Sequence, residues 1–334
     1  MLALTGSYLA IAYADQCYQG IVNGIELCTG VLVPSLFIFM VLTAYIIESP
    51  AAAVLSRPLN PLIGRSSRLP DEATCVIFLS LLGGYPIGAG CTALLYRSGR
   101  MSESEAVKTA YIAVSSGPGF LINYVGRSLL GSTDSGGILL FAQAVSLIAT
   151  AFIVGRTVHS EPPAIRPCGD AKSGTLVGAV RSASYAVFAM CGMVLVFAAV
   201  IEILPLFLNE DVSRVVSAAL EITVGCQQIC HLYPLYITAF FIGFGGLAVH
   251  FQIFAILKDI PVKKTLFFIF RIIEGIITAA VTYIYLMISP MESTVFNSID
   301  VPVSAATSAT YIGSGALIML SLLFIGSLGK IRRQ

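Results

Sequence analysis

The sequence predicts an all-α polytopic membrane protein, and three observations carry that expectation. Only 11% of the 334 residues are Asp, Glu, Lys or Arg, while 57% are hydrophobic. Soluble domains carry about 25% charged residues, so a soluble fold of this composition could not cover its apolar surface. Mean hydropathy is +0.88. Long apolar segments recur near residues 26–48, 72–96, 105–125, 136–155, 182–207, 234–257, 264–290 and 309–329. Several match a hydrocarbon core of roughly 30 Å at about 1.5 Å of rise per helical residue.

The remaining composition excludes several classes. A net charge of +1, from 19 basic and 18 acidic residues, leaves no electrostatic footprint for nucleic acid or another polyanion. The eight cysteines lie mostly inside apolar runs without paired spacing and read as small packing residues. Cys226, Cys230 and His231 cluster, but their spacing fits no zinc pattern, so no metal or other cofactor is expected. Trp is absent, which leaves the 14 Tyr residues to serve the membrane interfaces. Met1 to Ala14 is apolar but has no Lys or Arg before it. It therefore does not read as a cleavable signal, and it is short for a full span.

Two further segments, 51–64 and 212–230, are shorter and amphipathic and carry Arg or Glu. Residues 156–181 are polar, basic and Pro-bearing, and divide the chain into halves, 1–155 and 182–334. The halves look alike. Val31 to Ile47 is matched by Met190 to Leu204, and the run Gly83–Gly90 (GGYPIGAG) is matched 160 residues on by Gly243–His250 (GFGGLAVH). Order and offset together predict an internal duplication.

A Gly-rich octet inside an apolar span exposes backbone N–H and C=O groups, each costing several kcal/mol in hydrocarbon. Such a break survives only where it faces protein or a water-filled cavity. Paired breaks in two repeats point to a transporter's binding site; the plainer reading is close helix packing through small residues. Each broken segment is either a bent crossing or a re-entrant hairpin. The Lys and Arg split between the two sides is lopsided for crossings and near even for hairpins, so the positive-inside rule favours crossings. Under crossings, the loop 289–310, which has no Lys or Arg, lies opposite the basic 156–181 linker; under hairpins both lie on one side.

Other polar residues fall at membrane depth. Ser115-Ser116-Gly117-Pro118-Gly119 interrupts the segment 105–125, with Asn123 one turn on, as a kink or as an unwound stretch that coordinates a ligand. Glu221 and Thr223 stand beside Gly225, with an interface position as the alternative for Glu221. Arg271 and Glu274 share a helix face at i, i+3; either they pair with each other or Arg271 offers its planar fork to a carboxylate. His250 is a hydrogen-bonded core residue or a proton-coupling group. No nucleophile–base triad, Walker loop, GxGxxG or HExxH is present, so no enzyme is expected.

The strings GGYPIGAG (83–90), SSGPGF (115–120), LEITVG (220–225), GFGGLAVHFQ (243–252) and FRIIEG (270–275) resemble those of the YlbJ (SpoVV) sporulation integral membrane proteins, within the nucleoside-recognition, or Gate, superfamily. The resemblance runs from about Gly24 to Tyr285. It implies two internal repeats with re-entrant hairpins and unwound helices, similar to concentrative nucleoside transporters. Hairpin tips would fall at Gly83–Gly90 and Gly243–Gly246, with unwound partners near Ser115–Gly119 and Leu220–Gly225. This outweighs the charge count, which is weak evidence around re-entrant segments.

The resemblance further implies a permease for a small anionic metabolite, with dipicolinate as the leading candidate during endospore formation, by alternating access around a midplane site. The membrane would be the bacterial cell membrane or the outer forespore membrane. Backbone donors around Gly83, Gly84, Tyr85, Pro86, Gly88, Gly245 and Gly246 would hold carboxylates together with Arg271. Ser115, Ser116, Thr223 and Gln252 would add neutral hydrogen bonds, and Gly117, Asn123, Glu221 and His250 complete the candidate set. Partners would be the lipid bilayer, a coupling cation left unidentified and a second copy in a small homo-oligomer. Two alternatives stay open: a permease for nucleosides or other neutral solutes, and a non-transporting spore-envelope scaffold with a filled, dry midplane.

Overall fold

The computed structural model describes residues 8–49, 51–158 and 175–289. Most of the 156–181 linker, the loop 289–310 beyond its first residue and the apolar segment 309–329 lie outside the described residues. Residues 1–285 form one compact unit and 286–334 a second, of which only 286–289 are described.

Among the described residues the chain is all helix. Five stretches are long and apolar enough to cross a bilayer: α1 (Ala14–Ile47), α7 (Thr133–Thr157), α8 (Leu176–Ile203, extended by a 3-10 turn to Leu206), Leu235–Ile256 and α13 (Lys264–Ile288). Shorter helices lie between them. These are α2 (Ala51–Ser56), α3 (Asp71–Gly83), α4 (Tyr85–Arg97), α5 (Glu103–Ile112), α6 (Gly119–Leu129), α9 (Glu210–Leu220) and α10 (Ile222–Ile229). The fourth candidate span consists of α11 (Leu235–Phe244) and α12 (Leu247–Ile256).

Local chemistry sets these boundaries. Pro34 has no N–H to give the preceding turn, and α1 widens to a π turn over Cys28–Leu32 just before it. Ser102 and Glu105 close a reciprocal capping box on α5, and Ser132, Thr175 and Asn209 cap α7, α8 and α9.

Two helix pairs fold back on themselves. Between α3 and α4, Gly84 turns at φ +88, open to glycine at no steric cost, and Gly88 comes so close to Ser80 that an added Cβ would lie 2.8 Å from the serine Cβ. Between α9 and α10, a Cβ on Gly225 would lie 2.2 Å from Ala218 Cα. The turn there is Leu220–Glu221, with Glu221 extended at φ −140, ψ 120. By contrast, α11 and α12 do not pack on each other, and the chain between them is broken at Gly245 and Gly246, φ +91 and +76. Likewise α5 and α6 are separated by the non-helical stretch 113–118 and do not fold back.

The second half therefore reverses the expected roles. A fold-back at Gly243–Gly246 and an unwound stretch at Leu220–Gly225 were expected; the chain turns back at Leu220–Glu221 and is merely interrupted at Gly245–Gly246. The physical reason is that glycines mark where a helix stops, not which way it leaves. At 220–221 an extended residue whose side chain caps the next helix makes the turn without glycine at its tip.

Contacts also sort the two ends of the bundle. At one end Arg97 pairs with Asp259 at 2.7 Å, Lys108 donates to Ser67 O at 3.4 Å and Gly155 abuts Ser66. At the other, Tyr233 donates to Asp211 at 3.3 Å and the rings of Tyr13 and Phe207 meet at 5.5 Å.

The closest approach between the halves is that of α1 and α8. A Cβ on Gly20 would lie 2.5 Å from Ala198 O, and one on Gly24 would lie 2.9 Å from Leu195 Cδ2. The spacing Gly20-x-x-x-Gly24 lets two backbones approach where apolar burial gives no driving force. Gly20→Ile is expected to destabilise the purified protein by about 1–3 kcal/mol, a clear fall in Tm, because backbone must move. Gly30→Ala, where an added Cβ meets nothing within 4 Å, leaves Tm unchanged.

Candidate functional site

The two fold-back tips and the two helix breaks meet. A Cβ on Gly117 would lie 3.2 Å from Gly84 N, which puts the α3–α4 tip against the α5–α6 break. A Cβ on Gly246 would lie 3.1 Å from Ile222 N, which puts the α9–α10 tip against the α11–α12 break. Tyr85 joins the two sets. Its hydroxyl accepts from Ser116 Oγ and donates to Ile242 O at 2.6 Å, and Tyr124 adds a second link by donating to Thr223 O at 3.2 Å.

Between them lies a cavity of about 30 Å³. Gly84, Tyr85 and Pro86 at the start of α4 line it, with Ser116, Gly117 and Phe120 at the start of α6. From the second half come Glu221, Ile222 and Thr223 at the start of α10, and Val249 and Gln252 on α12. Leu32 and Leu36 of α1 and Met190 and Val194 of α8 close the sides. A volume this small holds one or two waters, so a larger solute enters only if the tips part.

Glu221 is the one charged side chain among these lining residues, and it is 2% exposed. Its carboxylate accepts from Val224 N at 2.7 Å and so caps the N-terminus of α10, where the helix dipole favours a negative charge. Thr223 and Gln252 are buried beside it.

Eight of the sixteen expected site residues therefore meet at this cavity: Gly84, Tyr85, Pro86, Ser116, Gly117, Glu221, Thr223 and Gln252. The others sit elsewhere. Gly83 abuts Ile87 and Thr43, and Gly88 abuts Ala113 O. Ser115 shares a hydrogen bond of 3.2 Å with Ser80, and Asn123 is exposed on α6. Gly245 and Gly246 form the α11–α12 break behind Tyr85 and Ile222. His250, 1% exposed, holds Phe244 O through Nε2 at 2.8 Å and lies edge-on to Phe244, Phe267 and Phe268.

Arg271 is fully buried and does not line the cavity. It donates through Nη1 to Val114 O at 2.7 Å and through Nη2 to Tyr111 O at 2.6 Å. These are carbonyls that the end of α5 leaves without helical partners, at the negative end of its dipole. Nη2 also meets Glu274 Oε2 at 2.7 Å, and Glu274 Oε1 accepts from Gln143 Nε2 at 2.7 Å. Arg271 and Glu274 thus pair internally, and the guanidinium holds the rim of the α5–α6 break.

The apolar lining residues Leu32, Leu36, Met190 and Val194 were not singled out in the sequence. Their one signal was that all four fall within the segments matched between the halves, Val31 to Ile47 and Met190 to Leu204.

The chain is 22% identical over 327 residues to the sporulation integral membrane protein YlbJ of Bacillus subtilis (strain 168), covering 84% of this chain and 80% of that protein. The match supports the YlbJ family assignment. No family profile and no solved structure matches the chain. Together with the five candidate spans, it makes the chain an integral, multi-pass membrane protein.

Arg271→Ala is expected to cost about 3–5 kcal/mol, seen as loss of the monodisperse protein in gel filtration, because Glu274 is left as an uncompensated buried charge. Arg271→Ala combined with Glu274→Gln recovers part of the folded yield.

Proposed function

We propose that the chain is a permease that moves a small solute across the membrane of a spore-forming cell by alternating access to the central cavity, with no covalent chemistry. The observation that supports this most is the convergence of four interruptions on one spot. Helix breaks at membrane depth are costly unless they face protein or a water-filled cavity, and here the N-terminal turns of α4, α6 and α10, together with α12, surround one small cavity. In this reading α3–α4 and α9–α10 are re-entrant hairpins from opposite faces. The other broken elements, α5–α6 and α11–α12, are crossings, and the halves are inverted repeats.

Charge placement supports the same topology. The loops at the Arg97–Asp259 end carry Arg57, Arg65, Arg68, Arg97, Arg100, Arg156, Lys258, Lys263 and Lys264, while the opposite end carries Arg127 and Arg214 among the described residues. The positive-inside rule puts the first end in the cytoplasm.

The substrate class rests on the family resemblance, which favours a dicarboxylate, dipicolinate first. A second reading, a nucleoside or other neutral solute, is favoured by Glu221 as the cavity's charged side chain with no basic residue beside it. Thermal shift of the purified protein against dipicolinate and a nucleoside panel separates them. For the dicarboxylate reading, saturable stabilisation of about 2.7 kcal/mol is expected at a hundred times Kd. Gln252→Ala then weakens binding about tenfold, and Glu221→Gln tightens binding of the free dianion. For the neutral reading, nucleosides bind instead and Glu221→Gln weakens them. No response to either class overturns the permease in favour of a membrane scaffold.

A further inference from the structure

A second, larger cavity lies between α1, α8 and α10, at about 450 Å³. Its polar lining consists of Asn23 and Glu26 on α1, Glu202 on α8, and Gln227 and Gln228 on α10. Glu26 and Glu202 belong to two candidate membrane spans, and neither carboxylate has an ion pair among the described residues. A carboxylate within a span is costly against lipid and persists where it faces a water-filled cavity. Two of them on different helices, with three side-chain amides around the same space, line one open pocket in which Asn23, Glu26 and Gln227 are exposed and Glu202 and Gln228 half-buried.

The position is as informative as the chemistry. Val31 and Val224, in the wall of this cavity, are next in sequence to Leu32 and Thr223 in the wall of the central one. The larger cavity lies toward the end of the bundle that holds Glu210 and Asp211, where the loops carry few Lys or Arg.

We infer that this cavity is an aqueous vestibule that binds cations, and that solute reaches the central site from this end in a neutral, cationic or cation-paired form. The second half of that statement rests on the permease reading; the first does not. Two unpaired carboxylates lining one pocket focus a negative potential, which raises the local concentration of cations and disfavours a free dianion. A dicarboxylate would pass protonated or with a cation bound to its oxygens.

The test is charge-selective thiol labelling in membrane vesicles, which needs no knowledge of the substrate. In a chain whose native cysteines are replaced by alanine, Gln227→Cys and, separately, Asn23→Cys are reacted with a cationic methanethiosulfonate and with its anionic sulfonate counterpart. Glu210→Cys, at a side chain 81% exposed, is the surface control. The cationic reagent is expected to react faster by at least about tenfold, relative to the same ratio for a small free thiol. Glu26→Gln with Glu202→Gln brings the ratio back to that of the free thiol. Failure of both positions to label while the control labels overturns the vestibule, and labelling without charge preference overturns the cation assignment. If labelling behaves as expected but neither dicarboxylate nor nucleoside binds, the vestibule stands and the permease reading falls.

Discussion

Everything near the centre of this protein depends on one constraint: a helix interrupted at membrane depth leaves backbone N–H and C=O groups that only protein or trapped water can satisfy. The structure meets this with side chains brought from distant elements. Arg271 on α13 takes the carbonyls of Tyr111 and Val114 where α5 ends. Tyr85 on α4 takes Ile242 O, and His250 takes Phe244 O, where α11 ends. Glu221 caps the first turn of α10. Polar residues at membrane depth normally attract a ligand hypothesis, yet here Arg271, Tyr85, His250 and Glu221 serve backbone that the breaks have stranded.

That observation explains which parts of the fold were legible in the sequence. The membrane class was evident from hydropathy and missing charge, and the positions of the breaks were evident from Gly and Pro at 83–86, 115–119 and 243–246. The direction of the chain after each break was not, because glycine lifts a steric restriction without imposing a heading. The α9–α10 turn carries no glycine at its tip, and its segment read as short and amphipathic, with an unwound stretch rather than a turn expected near Leu220–Gly225. Of the candidate site, the residues that reached the cavity sit at a tip or a break, apart from Gln252 within α12, whereas Gly83, Ser115, Gly245 and Gly246 sit at tips or breaks without lining it. Arg271 and His250, selected for their chemistry, are drawn away from it by carbonyls that no linear pattern displays.

Each half also contributes one pair of apolar residues to the cavity. The cavity is lined by Leu32 and Leu36 and by Met190 and Val194, one pair from each of the two long helices that cross at Gly20 and Gly24. Those glycines hold the helices close enough for their apolar residues to wall a space of water size. Packing between the halves and the dimensions of the cavity are therefore one problem: thickening the seam would widen the gap at its inner end.

The Tyr85 hydroxyl has a consequence for speed. It is the direct side-chain link from the tip of α4 to the end of α11, and the net worth of such a bond is about 1 kcal/mol. Ser116 can follow either partner, since its hydroxyl rotates. In the permease proposed above, a latch this weak, closing on a cavity of water size, would let thermal motion part the tips readily. The heavier anchors, Arg271 with Glu274, lie outside that contact.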